Sequence, residues 1–197
     1  MGTRDRILDA AAEVVLQLGL ARATTKEIAR ASGFSEATLY KHFRDKNELV
    51  LAVLHERLPP FIPLLAGLAD RVGTGTVTGT LEEVAASAVA FYEVGTPMMG
   101  SLFAEQALLA RHRDEIQAAG AGPHLANRAL AHYLRGEQKA GRIAADADPD
   151  AAAVLLLGAC LQRAFFRHLV GERASTGSAE RFAQQIVRAL VGRLLPA

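Results

Sequence analysis

The chain is poor in several residues that mark other classes of protein. Its 197 residues include a single cysteine and no tryptophan. A disulfide needs two cysteines, so Cys160 cannot form an intrachain bridge, and the sequence favours a reducing compartment. Cys160 lies in an apolar stretch. We therefore expect a buried, inert thiol there rather than a redox switch.

An excess of charge of one sign is also missing. Lys and Arg number 22 and Asp and Glu number 21, which leaves a formal net charge of +1. This balance is not that of a broadly basic nucleic-acid binder, so any affinity for nucleic acid must come from a local patch. Half of the residues are apolar, which is enough for a sizeable core.

Long hydrophobic runs are absent. The longest apolar run, residues 151–161, has 11 residues, whereas a bilayer span needs roughly 20. The N-terminus begins with a charged amphipathic segment and shows no hydrophobic region of a signal peptide. We therefore expect a cytoplasmic protein without a membrane partner.

Strand patterns are lacking as well, and apolar residues recur at helical spacing almost throughout. The sequence predicts an all-α fold with a flexible connection at residues 73–79. Thr96 and Pro97 are expected to open a new helix, because proline is favoured at a helix start. Outside residues 24–46, the predicted helices are 7–18, 46–57, 63–72, 80–95, 96–119, 123–141, 149–170 and 179–194.

Residues 24–46 carry the most specific pattern. Thr24 and Ser35 are expected to cap two short helices, and Gly33 is expected to supply a left-handed turn between them. Asp45 is expected to cap the helix that follows, with Glu48 in the reciprocal position. This arrangement predicts a helix-turn-helix. A plain helical hairpin would need the same caps, but it would not explain the polar outward face of residues 35–46.

Residues 7–54 resemble the N-terminal DNA-binding domain of the TetR family of bacterial transcriptional repressors. The segment ATLYKHFRDKNEL fits the family signature TLY-x-H-F/Y-x-x-K-x-x-L, whereas Phe34 replaces the smaller aliphatic residue usual after the turn glycine. The resemblance implies a DNA-binding domain at 1–46, an effector-binding and dimerisation domain at 47–197, and helix 46–57 as their direct link. It also implies a homodimeric repressor of operator DNA, released by a small effector. No cofactor is expected.

The outward face of the predicted recognition helix supplies candidate DNA contacts, whose assignment the resemblance supports. Lysine can donate to guanine, glutamate can accept from cytosine N4 and alanine can touch a thymine methyl group. Glu36 is left with two interpretations, since it can also serve the helix N-terminus. The expected base contacts are Lys26, Glu36, Ala37 and Lys41. The expected phosphate contacts are Thr25, Thr38, Tyr40, His42 and Lys46, and Ser35 completes the polar face.

The remaining helices contain apolar and sulfur side chains near a few polar ones, which would suit a lipophilic effector. Ordinary core packing is the alternative for each of these residues. Met98 and Met99 are the preferred candidates for an adaptable wall. The predicted effector-binding residues are Phe61, Leu65, Phe91, Met98, Met99, Phe103, Gln106, Tyr133, Gln162 and Phe165.

The last two helices predict self-association. Residues 151–161 are apolar or glycine on every side of a helix, and such a helix must be buried all round. A fully internal helix would satisfy this requirement, but the wide apolar stripe of 179–194 favours a two-fold dimer closed by a four-helix bundle. The predicted interface residues are Leu155, Ala159, Gln162, Phe166, Phe182, Ile186 and Leu190.

An enzyme and a helical adaptor are the two alternative classes of function. The sequence His112-Arg113-Asp114 is like part of a kinase catalytic loop, but no glycine-rich loop or strand accompanies it, so no catalytic residue is predicted. His124 and His132 lack a third ligand at metal-binding spacing, so no metal site is predicted. A helical adaptor that has lost DNA binding remains as the second alternative, because residues 35–46 have a net charge of only +1.

Overall fold

A computed structural model describes residues 1–19, 22–171 and 177–195. Its helices are α1 (Thr3–Leu18), α2 (Thr25–Ser32), α3 (Glu36–His42), α4 (Lys46–Glu56), α5 (Phe61–Ala66), α6 (Val77–Ala104), α7 (Gln106–Ala118), α8 (His124–Lys139), α9 (Pro149–Val170) and α10 (Ala179–Leu194), with a 3₁₀ turn at Leu68–Arg71. None of the described residues lies in a β-strand. The predicted all-α fold is confirmed.

The chain forms two compact units. The first, called the head here, comprises Met1–Leu58 and Val94–Ala119, and the second, called the body, comprises Pro59–Glu93 and Gly120–Ala197. These bounds differ from the expected segments 1–46 and 47–197. The difference arises because α4 and the second half of α6 contribute buried side chains to the head core, among them Val53, Met98 and Leu102.

The head core forms between α1, α2, α3 and α4. Ile7, Leu8 and Ile28 are fully buried, and Leu39 is nearly so. Ion pairs close the edge between α1 and α4: Arg4 binds Glu56 through two hydrogen bonds of 2.7 and 2.6 Å, and Arg57 binds Asp5 and Asp9. Helices α1 to α4 therefore pack as one bundle, and this bundle carries the candidate DNA-contact residues.

Helix α6 differs from the sequence expectation at both of its predicted ends. It begins at Val77, inside the expected connection 73–79, because the Thr76 hydroxyl accepts a hydrogen bond from Gly79 N at 3.0 Å. It then runs through Thr96 and Pro97 to Ala104. The predicted break at residues 95–96 was wrong, and a break occurs instead at Glu105, before α7.

Helix α5 also starts earlier than predicted. It begins at Phe61, two residues before Pro63, and passes into the 3₁₀ turn at Leu68–Arg71. Pro63 is tolerated there because the first-turn amides of a helix have no intrahelical acceptor.

The body core lies between the first half of α6 and helices α8, α9 and α10. Leu81, Tyr133 and Leu156 are completely buried in it. A buried carboxylate holds the loop before α6, since Glu137 accepts from Gly73 N at 3.1 Å and pairs with Arg142 at 3.3 Å. Cys160 is buried as expected, and burial raises the pKa of its thiol to about 12, which disfavours the reactive thiolate.

Helix α9 has the bounds that the sequence predicted, Pro149–Val170. Among the described residues it is the one helix that is long and apolar enough to cross a bilayer by length and composition alone. Core helices of soluble proteins meet the same criterion. One side of α9 lies in the body core, with Ala153, Leu156 and Cys160 fully buried.

Candidate nucleic-acid interface

The helix-turn-helix forms where the sequence predicted it. The Thr24 hydroxyl accepts from Glu27 N at 3.1 Å, and the Ser35 hydroxyl accepts from Thr38 N at 3.2 Å. Gly33 has φ 75° and ψ 21°, a left-handed conformation that side chains with a Cβ disfavour. Phe34 N then bonds to Ala29 O at 3.0 Å, which closes the end of α2. The three predicted signals are confirmed.

Phe34, the departure from the family pattern, has a partner in α1. The Arg6 guanidinium lies over its ring, 4.7 Å from the centroid, and also donates to Ser32 O at 3.3 Å. A cation above an aromatic ring is stabilised by the negative face of the ring. The larger side chain is therefore accommodated at the turn by a contact that the local sequence does not show.

A short polar chain links α2 and α3 on the outward face. The Thr25 hydroxyl donates to Glu36 Oε2 at 2.7 Å, and the Tyr40 hydroxyl lies 3.5 Å from Thr25 Oγ1, at the long limit for a hydrogen bond. The Glu36 carboxylate thus accepts from a hydroxyl on the neighbouring helix. This gives Glu36 a structural contact beside the two roles considered from the sequence.

The ten candidate DNA-contact residues all lie in the head. Thr25, Thr38 and Lys46 are partly buried, and Tyr40 has half of its surface exposed. Ser35 Oγ and Thr38 Oγ1 lie 3.0 Å apart at the start of α3. The other exposed members are Lys26, Ser35, Glu36, Ala37, Lys41 and His42.

The acidic groups next to α3 are paired with cations. Asp45 caps α4 by accepting from Glu48 N at 2.8 Å, and Arg111 of α7 donates to both of its carboxylate oxygens at 3.2 and 3.1 Å. The Glu48 N–H, followed by the charge of Arg111, lowers the pKa of Asp45. Glu48 accepts from Arg44 N at 2.7 Å, and this contact likewise lowers its pKa.

Arg111 is a component of the head that sequence reasoning missed. It lies 66 residues from Asp45, far outside the helix-turn-helix pattern. It brings one more positive charge next to the turn between α3 and α4 than the local count for residues 35–46 included.

The predicted effector-binding residues are divided between the two units. Met98 and Met99 pack in the head core, and Phe103 and Gln106 are exposed in the head. In the body, Phe61 and Leu65 are core residues, as is Tyr133. Phe91 is partly buried, with its ring centroid 5.3 Å from that of Phe61. Gln162 and Phe165 are exposed on α9.

The predicted dimer residues all lie on α9 and α10 of the body. A groove between these helices is lined by five of the seven, Leu155, Ala159, Gln162, Ile186 and Leu190. Leu155 is 63% exposed and Phe166 is 43% exposed. Phe182, Ile186 and Leu190 of α10 also pack partly against the body core. The Arg163 guanidinium lies 5.0 Å from the Phe182 ring centroid. This exposed surface is called the apolar groove below.

The described residues offer little for metal chemistry. No group of three or more His, Cys, Asp or Glu side chains within residues 1–19, 22–171 and 177–195 is placed to hold a metal ion. His112, Arg113 and Asp114 lie within helix α7 rather than in a loop.

A glycine-turned pair of short helices with a polar outward face, on an all-helical chain, defines the class of helix-turn-helix DNA-binding regulators. Comparison with known proteins agrees. Residues 7–53 match the family described as bacterial regulatory proteins of the tetR family, and residues 113–194 match the AefR-like transcriptional repressor C-terminal domain. The chain belongs to the TetR family of transcriptional regulators.

Individual relatives are similar over different lengths. The regulator SrpR of Pseudomonas putida is 45% identical over 58 residues, which cover 29% of this chain and 27% of SrpR. The chain matches less than half of the length of the curated relatives. A solved TetR-family regulator from Mesorhizobium loti is 21% identical with a TM-score of 0.75, covering 98% of this chain and 97% of that one. SmeT of Stenotrophomonas maltophilia is 21% identical with a TM-score of 0.70, covering 100% and 92%. These two structures show the fold.

Proposed function

We propose that this regulator is a repressor that binds a palindromic operator as a homodimer and releases it when a small lipophilic effector binds. The observation that carries the proposal is the pairing of a polar α3 face with an exposed apolar groove on α9 and α10. The first can read DNA, and the second needs a partner. SmeT, which shares the fold, is described as the repressor of a multidrug efflux pump, and this supports repression as the mode of action.

The proposed DNA contacts separate into two kinds. Lys26, Ala37 and Lys41 are exposed and would reach base edges in the major groove. Thr25, Thr38, Tyr40, His42 and Lys46 would bind phosphates and so fix the position of α3. Glu36 would either accept a hydrogen bond from cytosine N4 or keep its hydrogen bond to Thr25. In the first case it reads a base, and in the second it does not.

The proposed homodimer supplies the spacing of the operator. Burying Leu155 and its neighbours against a second copy would remove an apolar surface that water does not stabilise. Two recognition helices related by a two-fold axis would read half-sites about 34–36 Å apart, or a multiple of that distance. A near-palindromic operator follows from this symmetry.

The effector is proposed to meet the aromatic cluster of the body. Phe61, Phe91 and Tyr92 have ring centroids 5.3 to 6.0 Å apart, and Phe91 and Tyr92 are only partly buried. Burial raises the pKa of Tyr92 to about 12, so its phenol is neutral at physiological pH. Neutral, adjustable aromatic walls suit a lipophilic molecule. No catalytic step is part of the proposal, and a cytoplasmic location follows from a role on operator DNA.

Selection of random duplex DNA by the purified chain, at low and at moderate salt, tests the proposal. Enrichment of a palindrome with fixed half-site spacing is expected, together with a dimer in sedimentation velocity. A dimer that enriches no sequence at either salt would instead favour the adaptor alternative. Once an operator is known, fluorescence anisotropy of the labelled duplex measures release by candidate effectors. Triclosan, which is named in a complex of SmeT, is the first probe.

A further inference from the structure

Helix α6 passes from the body to the head between Glu93 and Val94. One turn further on, at Pro97, the helix continues where a proline normally ends or bends it. The unit boundary and the proline therefore fall within five residues of each other. We call the segment from Glu93 to Pro97 the proline turn.

Pro97 affects a particular carbonyl group. It has no backbone N–H, so it cannot donate to the carbonyl of the residue four before it, Glu93, and its ring pushes that carbonyl away from the helix axis. A helix carbonyl that loses its amide partner needs another donor, from the protein or from water. Without another donor, the proline turn would be a weak point in α6.

A histidine of α9 supplies the missing donor. Nε2 of His168 lies 2.6 Å from Glu93 O. A carbonyl oxygen only accepts, so Nε2 must carry the proton in this contact. The bond replaces the one that Pro97 cannot make, and it comes from a residue 75 positions away in sequence.

The side chain of Glu93 is held by the same helix. Arg167 Nη1 donates to Glu93 Oε1 at 3.0 Å, and Arg163 Nε lies 3.9 Å from that oxygen. Arg163 is itself buried and donates to Gly177 O at 2.9 Å. Side chains of α9 thus contact both the backbone carbonyl and the carboxylate of Glu93.

We propose that the proline turn is a hinge in α6 and that His168, assisted by Arg167, is the latch that stiffens it. The second half of α6 carries Met98 and Leu102, both buried in the head core, so a change in bend at the hinge is passed to the helices that hold α3. The opposite face of α9 forms the apolar groove. A change in packing of α9 can therefore reach the head through α6, in addition to the α4 link expected from the sequence.

A double-mutant cycle tests the latch without any knowledge of the operator. Pro97→Ala restores the amide that can bond to Glu93 O, so the helix no longer depends on His168. In the otherwise natural chain, His168→Ala should accelerate amide hydrogen exchange across residues 90–100 roughly fivefold, the effect of one lost hydrogen bond. In the Pro97→Ala background the same substitution should have little effect.

Arg167→Ala is the matched control, because Arg167 binds Glu93 through its carboxylate, whereas His168 contacts the carbonyl that Pro97 leaves open. Its effect on exchange should be the same with Pro97 or with alanine at this position. Equal effects of His168→Ala in both backgrounds would overturn the latch. If Pro97→Ala does not fold, His168→Ala and Arg167→Ala can still be compared in the natural chain. If neither variant exchanges faster than the natural chain across residues 90–100, there is no hinge at this position.

The regulatory consequence rests on the proposed function and has its own readout. With the selected operator, His168→Ala should weaken DNA affinity about three- to tenfold, because a looser hinge must be ordered on binding. The double variant Pro97→Ala/His168→Ala should recover that affinity. Unchanged operator affinity in His168→Ala would overturn the coupling. Failure to find any operator would count against the proposed function and would leave the result of the exchange cycle standing.

Discussion

The α3 face of the head and the apolar groove of the body are both exposed, but they differ in what their surface groups need. On the α3 face, polar groups bond to one another, as Thr25 does to Glu36 and Ser35 does to Thr38. In the groove, Leu155 is exposed to water and Ile186 is partly exposed. The residues around them are mostly apolar. Without a partner, exposure to water is therefore favourable for the α3 face and unfavourable for the apolar groove.

This difference indicates which association is permanent. A polar face with internal hydrogen bonds is stable in water and can bind and release a charged ligand such as DNA at low cost. An apolar groove of this kind is typical of a surface that a partner covers. The comparison predicts a lasting dimer and a reversible DNA complex, and the variants below separate the two.

The largest effect is expected from a charge placed in the apolar groove. Leu155→Glu would put an unpaired carboxylate in the proposed dimer interface, which is strongly unfavourable. Sedimentation velocity should show monomers, and operator affinity should fall about a hundredfold or more, since two linked heads bind far more tightly than one. Ile62→Glu is the control, because Ile62 is similarly exposed in the body but lies outside the groove. A dimer that survives Leu155→Glu would contradict the proposed interface.

A tenfold to hundredfold effect is expected on the α3 face. Lys41→Ala removes a candidate base contact, and such contacts contribute about 1–3 kcal/mol and also determine which base is preferred. Operator affinity measured by anisotropy should fall while the dimer stays intact. Lys139→Ala, which removes an exposed lysine at the end of α8, should change neither. If the two lysine variants bind DNA equally well, Lys41 is only a solvated surface residue.

The two regions also differ in how much of them the sequence could predict. In the head, helix caps and turns depend on residues three or four apart, so a local pattern was enough to predict them. The examples are the caps Thr24, Ser35 and Asp45 and the turn at Gly33. Arg111 joins this region from 66 residues away, and no local pattern reveals such a contact. The same holds for α6, where His168 contacts the Glu93 carbonyl from 75 residues away.

Apolar residues were harder to assign than capping residues. Composition identified Phe61, Met98 and Tyr133 as large or adaptable side chains, but it cannot distinguish a pocket wall from a core. The structure buries all three. The groove was easier to predict, because an apolar residue on every side of α9 exceeds what one core can cover. Hydrophobic periodicity therefore predicts an excess of apolar surface better than it predicts a cavity.

A smaller effect is expected from the Asp45 carboxylate. Asp45→Ala removes both the cap of α4 and the partner of Arg111, and the loss of a cap costs about 1 kcal/mol of unfolding free energy. Asp45→Asn keeps a capping oxygen and loses only the charge, so its cost should be a few tenths of a kcal/mol at these partly exposed positions. Hydrogen exchange of residues 46–53 measures both.

The pH dependence of the same signal provides the check. The pKa of Asp45 is lower in the folded chain than its ordinary value of 3.8. The stabilisation is therefore present above that ordinary value and is lost as the pH falls towards the lowered pKa. Protection of α4 should decline below about pH 4 in the natural chain and less steeply in Asp45→Asn. An acid response that Asp45→Asn leaves unchanged would assign the effect to the other carboxylates of the head. Asp70→Asn in the body is the control.

The smallest effect is expected from Glu36, whose two possible roles predict different results. Glu36→Gln keeps an oxygen that can accept from Thr25 and removes one negative charge from the DNA-facing surface. Affinity for random duplex at low salt should rise roughly two- to fivefold, because one phosphate repulsion is removed. Glu13→Gln, an exposed change on α1, controls for net charge.

Repeated selection then separates the two roles of Glu36. A shift at one symmetric operator position, from cytosine towards adenine, would mean that the carboxylate reads a base, since glutamine pairs with adenine. An unchanged motif with higher nonspecific affinity would mean that Glu36 serves Thr25, and that the α3 face gains selectivity by repelling DNA that lacks the other contacts.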